Sequence, residues 1–457
     1  MLNKERFFRF GLELHLQEVD RPKDMGGWTD KPFRTGGGKR KGFVEENLET
    51  VLSVSLDALL PEEEWLVIGR EESAFPDPDI TAVTKAGDLM FFEAKRGRAE
   101  PAIVDQGLGY LILTRGAGFT HYASRFLRMQ THRDFREAIR LLGLAKGTTM
   151  DRSGPVRETT WARLRGRNDT SLPNEEFLDL GRRVLWDISS PPVAGPLEDP
   201  ERVFIETFDN RFGFEGHDLL RGRLGKSATL VFVAEEFPDE VVQRWQGHAQ
   251  NHDFFYLLRL KLYGHNSEPC SFLLGFTQMV PDGVMSKKDS TSIAAAFETW
   301  RFLRFLREEI MRLEALDRQR GKEPLRIPMF EWRWLSTAYR ELQFYPTEVG
   351  HGGRIHLGSK EQHVRWAFDW MTTGTRPTIR DRTMRKLSEC MNELPAGVRS
   401  IGSNGNVVKD LQLPAHLDRR AARDLAEEVY AFLTFSFALY DSCGLWDDPY
   451  DAYASPR

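Results

Sequence analysis

The chain has 457 residues, a formal net charge of −5, 40% hydrophobic and 29% charged residues, which suggests two or three domains with real apolar cores. The mildly acidic balance excludes a global polyanion-binding surface, so any basic patch must be local. Cys270, Cys390 and Cys443 lie far apart and make neither a disulfide framework nor a zinc site; with a charged N-terminus and no run near the ~18–20 apolar residues of a membrane span, the expectation is a soluble, cytoplasmic protein without membrane partners.

In chain order, Phe8, Phe10, Leu12, Leu14 and Leu16 alternate with mostly polar neighbours and predict a half-buried strand. Residues 20–42 are rich in Gly and Lys/Arg, a loop that could serve as a basic arm. Its Gly36-Gly37-Gly38-Lys39 string lacks the spacing of a phosphate-binding loop. From 43 the pattern turns helical, with Val44, Leu48, Val51, Leu52 and Leu56 on one face, and ends near Pro61. Glu45 and Glu49 share a side of that helix. Residues 65–69 read as a short buried strand.

The stretch 76–110 carries the chemistry. An apolar run at 80–83 is followed by Lys85-Ala86-Gly87-Asp88, a turn composition, and by a second run at 89–92 that continues into Glu93-Ala94-Lys95. Alternation along a strand points Glu93 and Lys95 the same way. Asp79, at the head of the first strand, comes beside them across the hairpin; Asp77 is its rival for that place. A helix over 102–113 then sets Gln106 and Tyr110 on one face. Two carboxylates and an ammonium group around one point suit a magnesium-dependent phosphodiesterase, with Asp79, Glu93 and the Ala94 carbonyl as ligands and Lys95 beside the reacting phosphate. A third acid could come from the preceding helix, Glu45 being favoured over Glu49. The simpler alternative is an ion pair at a solvated hairpin edge.

Residues 115–167 hold 12 Lys/Arg against 4 Asp/Glu. Such a run reads equally as a solvated face or as a phosphate-contacting surface. Phe119, Tyr122 and Phe126 within it fit core positions better than base-stacking ones, as does Trp161. After a Pro-rich connection near 191–200, a strand at 228–234, a helix at 239–249 and a strand at 254–263 form a β-α-β unit. Gly225-Lys226-Ser227 precedes its strand and so has the wrong order for a phosphate loop. A second domain is expected from about 290. It has a long amphipathic helix at 293–318, a strand through Phe330, Trp332 and Trp334, a hairpin of 340–345 with 354–357, helices near 360–372, 378–392 and 417–441, and a flexible tail from 446. His351 and His356 have no further ligand nearby in sequence to complete a metal shell.

Pro78-Asp79, then Glu93-Ala94-Lys95, a helix before with Glu45-x-x-Leu48 and a helix after with Gln106-x-x-x-Tyr110 resemble the PD-(D/E)xK nuclease superfamily. Gln106-x-x-x-Tyr110 looks like the QxxxY element of its RecB-like branch, and the phrasing around the motifs is similar to its NucS-like branch. The resemblance is strong over 43–113, weak over 228–263 and absent beyond. It implies an α/β fold, a restriction-endonuclease-like central mixed sheet flanked by helices, over 43–265. The basic insert at about 115–227 would elaborate this fold, 1–42 would precede it, and an α+β domain at 290–445 would follow. It further implies a metal-binding hydrolase, an endonuclease using Mg²⁺ (Mn²⁺ as substitute), with Asp79, Glu93, Ala94 and Glu45 as metal ligands and Lys95, Gln106 and Tyr110 completing the catalytic set. Arg96, Arg98, Arg163, Arg165 and Arg167 would contact nucleic acid. DNA is the expected partner, in antiviral defence, restriction or repair. RNA as substrate, a binding module that needs a partner for turnover, and a homo-oligomer stay open.

Overall fold

Two strands joined by four buried turn residues, 85–88, stand at the centre of the structure, a computed structural model. It describes residues 2–10, 16–22, 25–30, 52–53, 56–70, 78–113, 117–127, 129, 199–225, 228–251, 254–267, 272–285, 291–322, 341–344, 351–358, 361–368, 389, 394–401 and 406–442. The elements in order are β1 (Arg6–Phe10), β2 (Gln17–Val19), β3 (Trp28–Asp30), β4 (Trp65–Arg70), β5 (Ile80–Thr84), β6 (Leu89–Arg98), α1 (Ala102–Leu113), α2 (Pro200–Phe212), α3 (His217–Arg223), β7 (Ala228–Glu236), α4 (Asp239–Gln250), β8 (Tyr256–His265), β9 (Phe272–Met279), α5 (Ile293–Gln319), β10 (Glu341–Phe344), β11 (His351–Leu357), β12 (Gln362–Phe368), β13 (Val398–Ile401), β14 (Asn406–Asp410) and α6 (Arg419–Ser442).

These elements fall into two units, one of 1–117 with 208–457 and one of 118–207. The first contains a nine-stranded mixed sheet in the order β2-β1-β9-β8-β7-β6-β5-β4, with β3 also paired to β8. Neighbours β6, β7 and β8 run parallel, and the other pairs are antiparallel. All five residues of β5 are buried, which requires cover on both faces of the sheet. On one face α1 approaches β7 closely: a Cβ on Gly107 would lie 2.7 Å from the Phe232 ring. On the other, Phe297 and Trp300 of α5 pack on Tyr256 with ring centroids 5.4 and 5.8 Å away. The β7-α4-β8 unit forms as its sequence pattern predicts, because a parallel pair needs a crossover of this length.

Of the strand expected through residues 8–16, the described part is β1 (Arg6–Phe10), which pairs with β9 inside the large sheet. The C-terminal part of α5, through Phe305, Leu306 and Ile310, shares one core with Ile355 and Trp366 of a second, five-stranded antiparallel sheet, β10-β11-β12-β14-β13, and with Val429 and Leu433 of α6. The expected helix at 360–372 is the strand β12. Val364 and Trp366 are buried while His363 and Arg365 are not fully so, a period of two that pairing with β11 and β14 makes decisive. The strand expected around 330–334 lies outside the described residues, as does the helix at 378–392 apart from Glu389.

In the unit 118–207, the helical residues 119–127 bring Phe119 and Phe126 onto Phe204, with centroids 5.8 and 5.2 Å apart. Tyr122 is also buried, so these aromatics are core, as their sequence context suggests. Arg125 is buried with them and does not belong to a solvated or phosphate-contacting face.

Burial pushes the Glu314 carboxyl on α5 up to about 7, although Arg318 opposes the shift and donates to it at 2.7 Å. The folded chain therefore holds a proton there that the unfolded chain, at the ordinary 4.5, has lost. Stability from this group is complete below pH 4.5 and declines as pH rises through 7, by up to about 3 kcal/mol. Urea unfolding across pH 4.5–8 should show that decline in the parent, and Glu314→Gln should flatten it.

Candidate functional site

The turn between β5 and β6 sets what faces what at the other end of the hairpin. Gly87 donates to the Thr84 carbonyl at 2.9 Å and Thr84 to the Asp88 carbonyl at 2.8 Å. Gly87 takes a φ of 78°, which suits glycine and makes a three-residue loop with a type I turn and a bulge. The register then runs Val83↔Leu89, Ala82↔Met90, Thr81↔Phe91 and Ile80↔Phe92. One more step brings Asp79 beside Glu93.

At that point Asp79 Oδ2 accepts the Ala94 backbone N–H at 2.5 Å. Glu93 and Lys95 share a face, and the Lys95 ammonium pairs with Glu93 Oε1. From α1, the Tyr110 hydroxyl donates to Glu93 Oε2 at 2.8 Å and accepts from Gln106 Nε2 at 2.7 Å. Asp79, Glu93 and Tyr110 are buried, Lys95 is about a third exposed and Gln106 is exposed. The site thus has a buried acidic floor and a polar rim. Burial raises the Tyr110 phenol, and the Glu93 charge and hydrogen bond raise it further, so the hydroxyl remains a donor at neutral pH. Gly107 has a structural part in this, since close approach of α1 to β7 brings Tyr110 within reach of Glu93.

Five residues expected at the site, Asp79, Glu93, Lys95, Gln106 and Tyr110, therefore converge through hydrogen bonds and one ion pair. The Gln106–Tyr110 pair orients Glu93, the carboxylate that also pairs with Lys95. Glu45, Glu49, Asp77, Arg163, Arg165 and Arg167 lie outside the described residues, as does the side chain of Arg96. Arg98 is exposed and 3.8 Å from Glu236, a solvated pair of small energetic consequence. His356 stacks on His363 and contacts Glu341 at 2.9 Å.

Among the described residues no group of three or more His, Cys, Asp or Glu side chains could hold a metal ion. What Asp79, Glu93 and the Ala94 carbonyl offer is a smaller, all-oxygen set with a surplus negative charge. That fits Mg²⁺, which takes one or two carboxylates and retains several waters; thiolate- or imidazole-seeking metals are not served.

Sequence reasoning missed the other end of the hairpin. Lys85 and Asp88 are turn residues by composition, yet both are buried. Asp88 is gripped by Arg307 of α5, at 2.8 Å to Oδ2 and 2.9 Å to Oδ1, and by Arg223 of α3 at 3.3 Å. Burial raises the Asp88 carboxyl, but the two guanidinium groups outweigh it and the net shift is downward. Lys85 pairs with Glu309 at 3.0 Å and with Glu64. Next to them Tyr256 donates to Glu63 at 2.5 Å and accepts from Arg304 at 2.6 Å. The available signal was in α5: Arg301, Arg304 and Arg307 recur every third residue on the side of the helix that also carries Trp300.

The chain matches no protein-family profile, no curated protein and no solved structure.

Tyr110→Phe removes the hydroxyl donor from a buried carboxylate oxygen and should cost about 2 kcal/mol in urea unfolding. Gln106→Ala, at an exposed position, should cost well under half of that.

Proposed function

We propose that this protein is a Mg²⁺-dependent nuclease that hydrolyses phosphodiester bonds in DNA. The observation that carries the reading is the meeting of Asp79, Glu93 and Lys95 at one point, with Glu93 fixed from behind by Tyr110 and Gln106. A solvated ion pair at a hairpin edge would not need a buried tyrosine to orient its carboxylate, and its acids would be exposed. The likeness of these five residues to the PD-(D/E)xK nucleases supports the same reading, and carries with it a restriction-endonuclease-like arrangement of β4–β7 and α1.

In this proposal Asp79, Glu93 and the Ala94 carbonyl hold the ion. When bound, Mg²⁺ polarises the scissile phosphate and lowers the pKa of its water. Hydrolysis joins a water oxygen to phosphorus, breaks the bond from phosphorus to one sugar oxygen, and delivers the proton given up by the water, by way of solvent, to that leaving oxygen. Asp79 and Glu93 are kept apart and aligned by backbone pairing, so their orientation costs nothing at the moment of reaction. Lys95, partly exposed at the rim, places its positive charge where negative charge builds on the phosphate, or aligns the water. Tyr110 remains protonated and holds Glu93 in one rotamer.

Circular and linear DNA and RNA, each incubated with the protein and Mg²⁺ or chelator, test the reading. DNA should be cut only with metal, and Asp79→Asn and Lys95→Ala should each lower the rate about a hundredfold or more with melting temperature retained. Cutting by both variants at the parent's rate removes the assigned site. RNA cut in preference to DNA reassigns the substrate, and DNA bound but never cut makes this a binding module.

A further inference from the structure

The residues that grip the β5–β6 turn have no part in the chemistry above, and they are expensive to bury. Desolvating a carboxylate and two guanidinium groups costs several kcal/mol per ion before pairing offsets it, and apolar side chains of similar volume would often do as well for stability. A hairpin turn is also an unusual place for such groups, because turns ordinarily sit in water. Here Lys85 and Asp88, three residues apart on the two ends of one turn, are each tied to α5. Arg223 closes the third side: its Cβ lies 3.1 Å from where a Cβ on Gly87 would be.

The consequence lies in register. From this turn, the pairing Val83↔Leu89 to Ile80↔Phe92 leads directly to Asp79 beside Glu93. A slip of one residue would turn Glu93 and Lys95 to the opposite face of the sheet and set Asp79 against the wrong neighbour. The paired residues 80–83 and 89–92 are apolar on both faces apart from Thr81, so hydrophobic pattern alone discriminates weakly between registers. Charges can do so, because the partners of the right sign stand at one place for each: Arg307 and Arg223 around Asp88, Glu309 and Glu64 around Lys85. Asp88 takes Arg307 in a two-pronged contact, which fixes angle as well as distance.

We propose that Asp88 and Lys85, held by Arg307, Arg223 and Glu309, are positioning residues that lock the β5–β6 register on which the Asp79–Glu93 pair depends. As a statement about catalysis this rests on the nuclease reading; as a statement about register it does not.

The double variant Asp88→Asn with Arg307→Met removes one charge of each sign and leaves Arg223 an amide acceptor, so no new unpaired carboxylate is created. Lys85→Met is the second variant, since Glu309 keeps Arg312 at 2.7 Å; it decides the matter if the first does not fold. Steady-state DNA cleavage is measured together with hydrogen–deuterium exchange of peptides from 89–98 and 256–263. The lock predicts at least tenfold lower kcat with KM unchanged, and at least tenfold faster exchange in 89–98 while 256–263 stays as in the parent. Parent-like cleavage and exchange in folded variants overturn the proposal. Equal acceleration of both peptides also overturns it, because that is the mark of a merely stabilising network. If the parent cuts no nucleic acid, the nuclease reading falls, and the two exchange rates alone then decide whether the lock exists.

Discussion

The register of one hairpin is the constraint on which the rest depends. Backbone pairing between β5 and β6 puts Asp79 beside Glu93, and strand alternation puts Lys95 on the face of Glu93. Everything else at the site is an addition to that geometry. The Ala94 N–H orients Asp79, and Tyr110 with Gln106 orients Glu93. A chain in which this pairing moved by one residue would have the same composition and the same elements but no acidic cluster.

Keeping such a hairpin in place requires cover on both faces, and the two covers differ in kind. On the face of Glu93 the cover is α1, which approaches so closely that position 107 has no room for a side chain. On the opposite face it is α5, which brings aromatic rings at Phe297 and Trp300 and, one turn further on, buried charges at Arg304, Arg307, Glu308 and Glu309. The second half of α5 belongs to the core of the five-stranded sheet. One helix therefore serves two sheets, and Arg419 at the start of α6 adds to the tie by pairing with Glu308 at 2.6 Å. The C-terminal part of the chain is continuous with the sheet that holds the site through both apolar packing and paired charge.

Much of the site was legible because it is local. Asp79, Glu93 and Lys95 sit on two strands joined by a three-residue loop, and Gln106 and Tyr110 follow within one helix. Period-two and i, i+4 spacing suffice to bring such residues onto common faces. The two glycine–lysine strings were discarded on spacing and order alone. Less legible was β12, where a short mixed segment gave a helical pattern until its pairing with β11 and β14 imposed alternation. Tertiary contacts override propensity in segments of this length.

The sequence by itself determined the hairpin, the helix that follows it, the β-α-β unit and the residues that meet at the site, because each rests on periodicities of a few residues. Only the tertiary structure decided that the turn is buried and that Lys85 and Asp88 are held in charged contacts. Those facts depend on partners 135 to 224 residues away, Arg223, Arg307 and Glu309. A charged turn residue looks the same in sequence whether water or an arginine faces it. What separates the two is the arrival of another helix, and no local pattern at residues 84–88 records that.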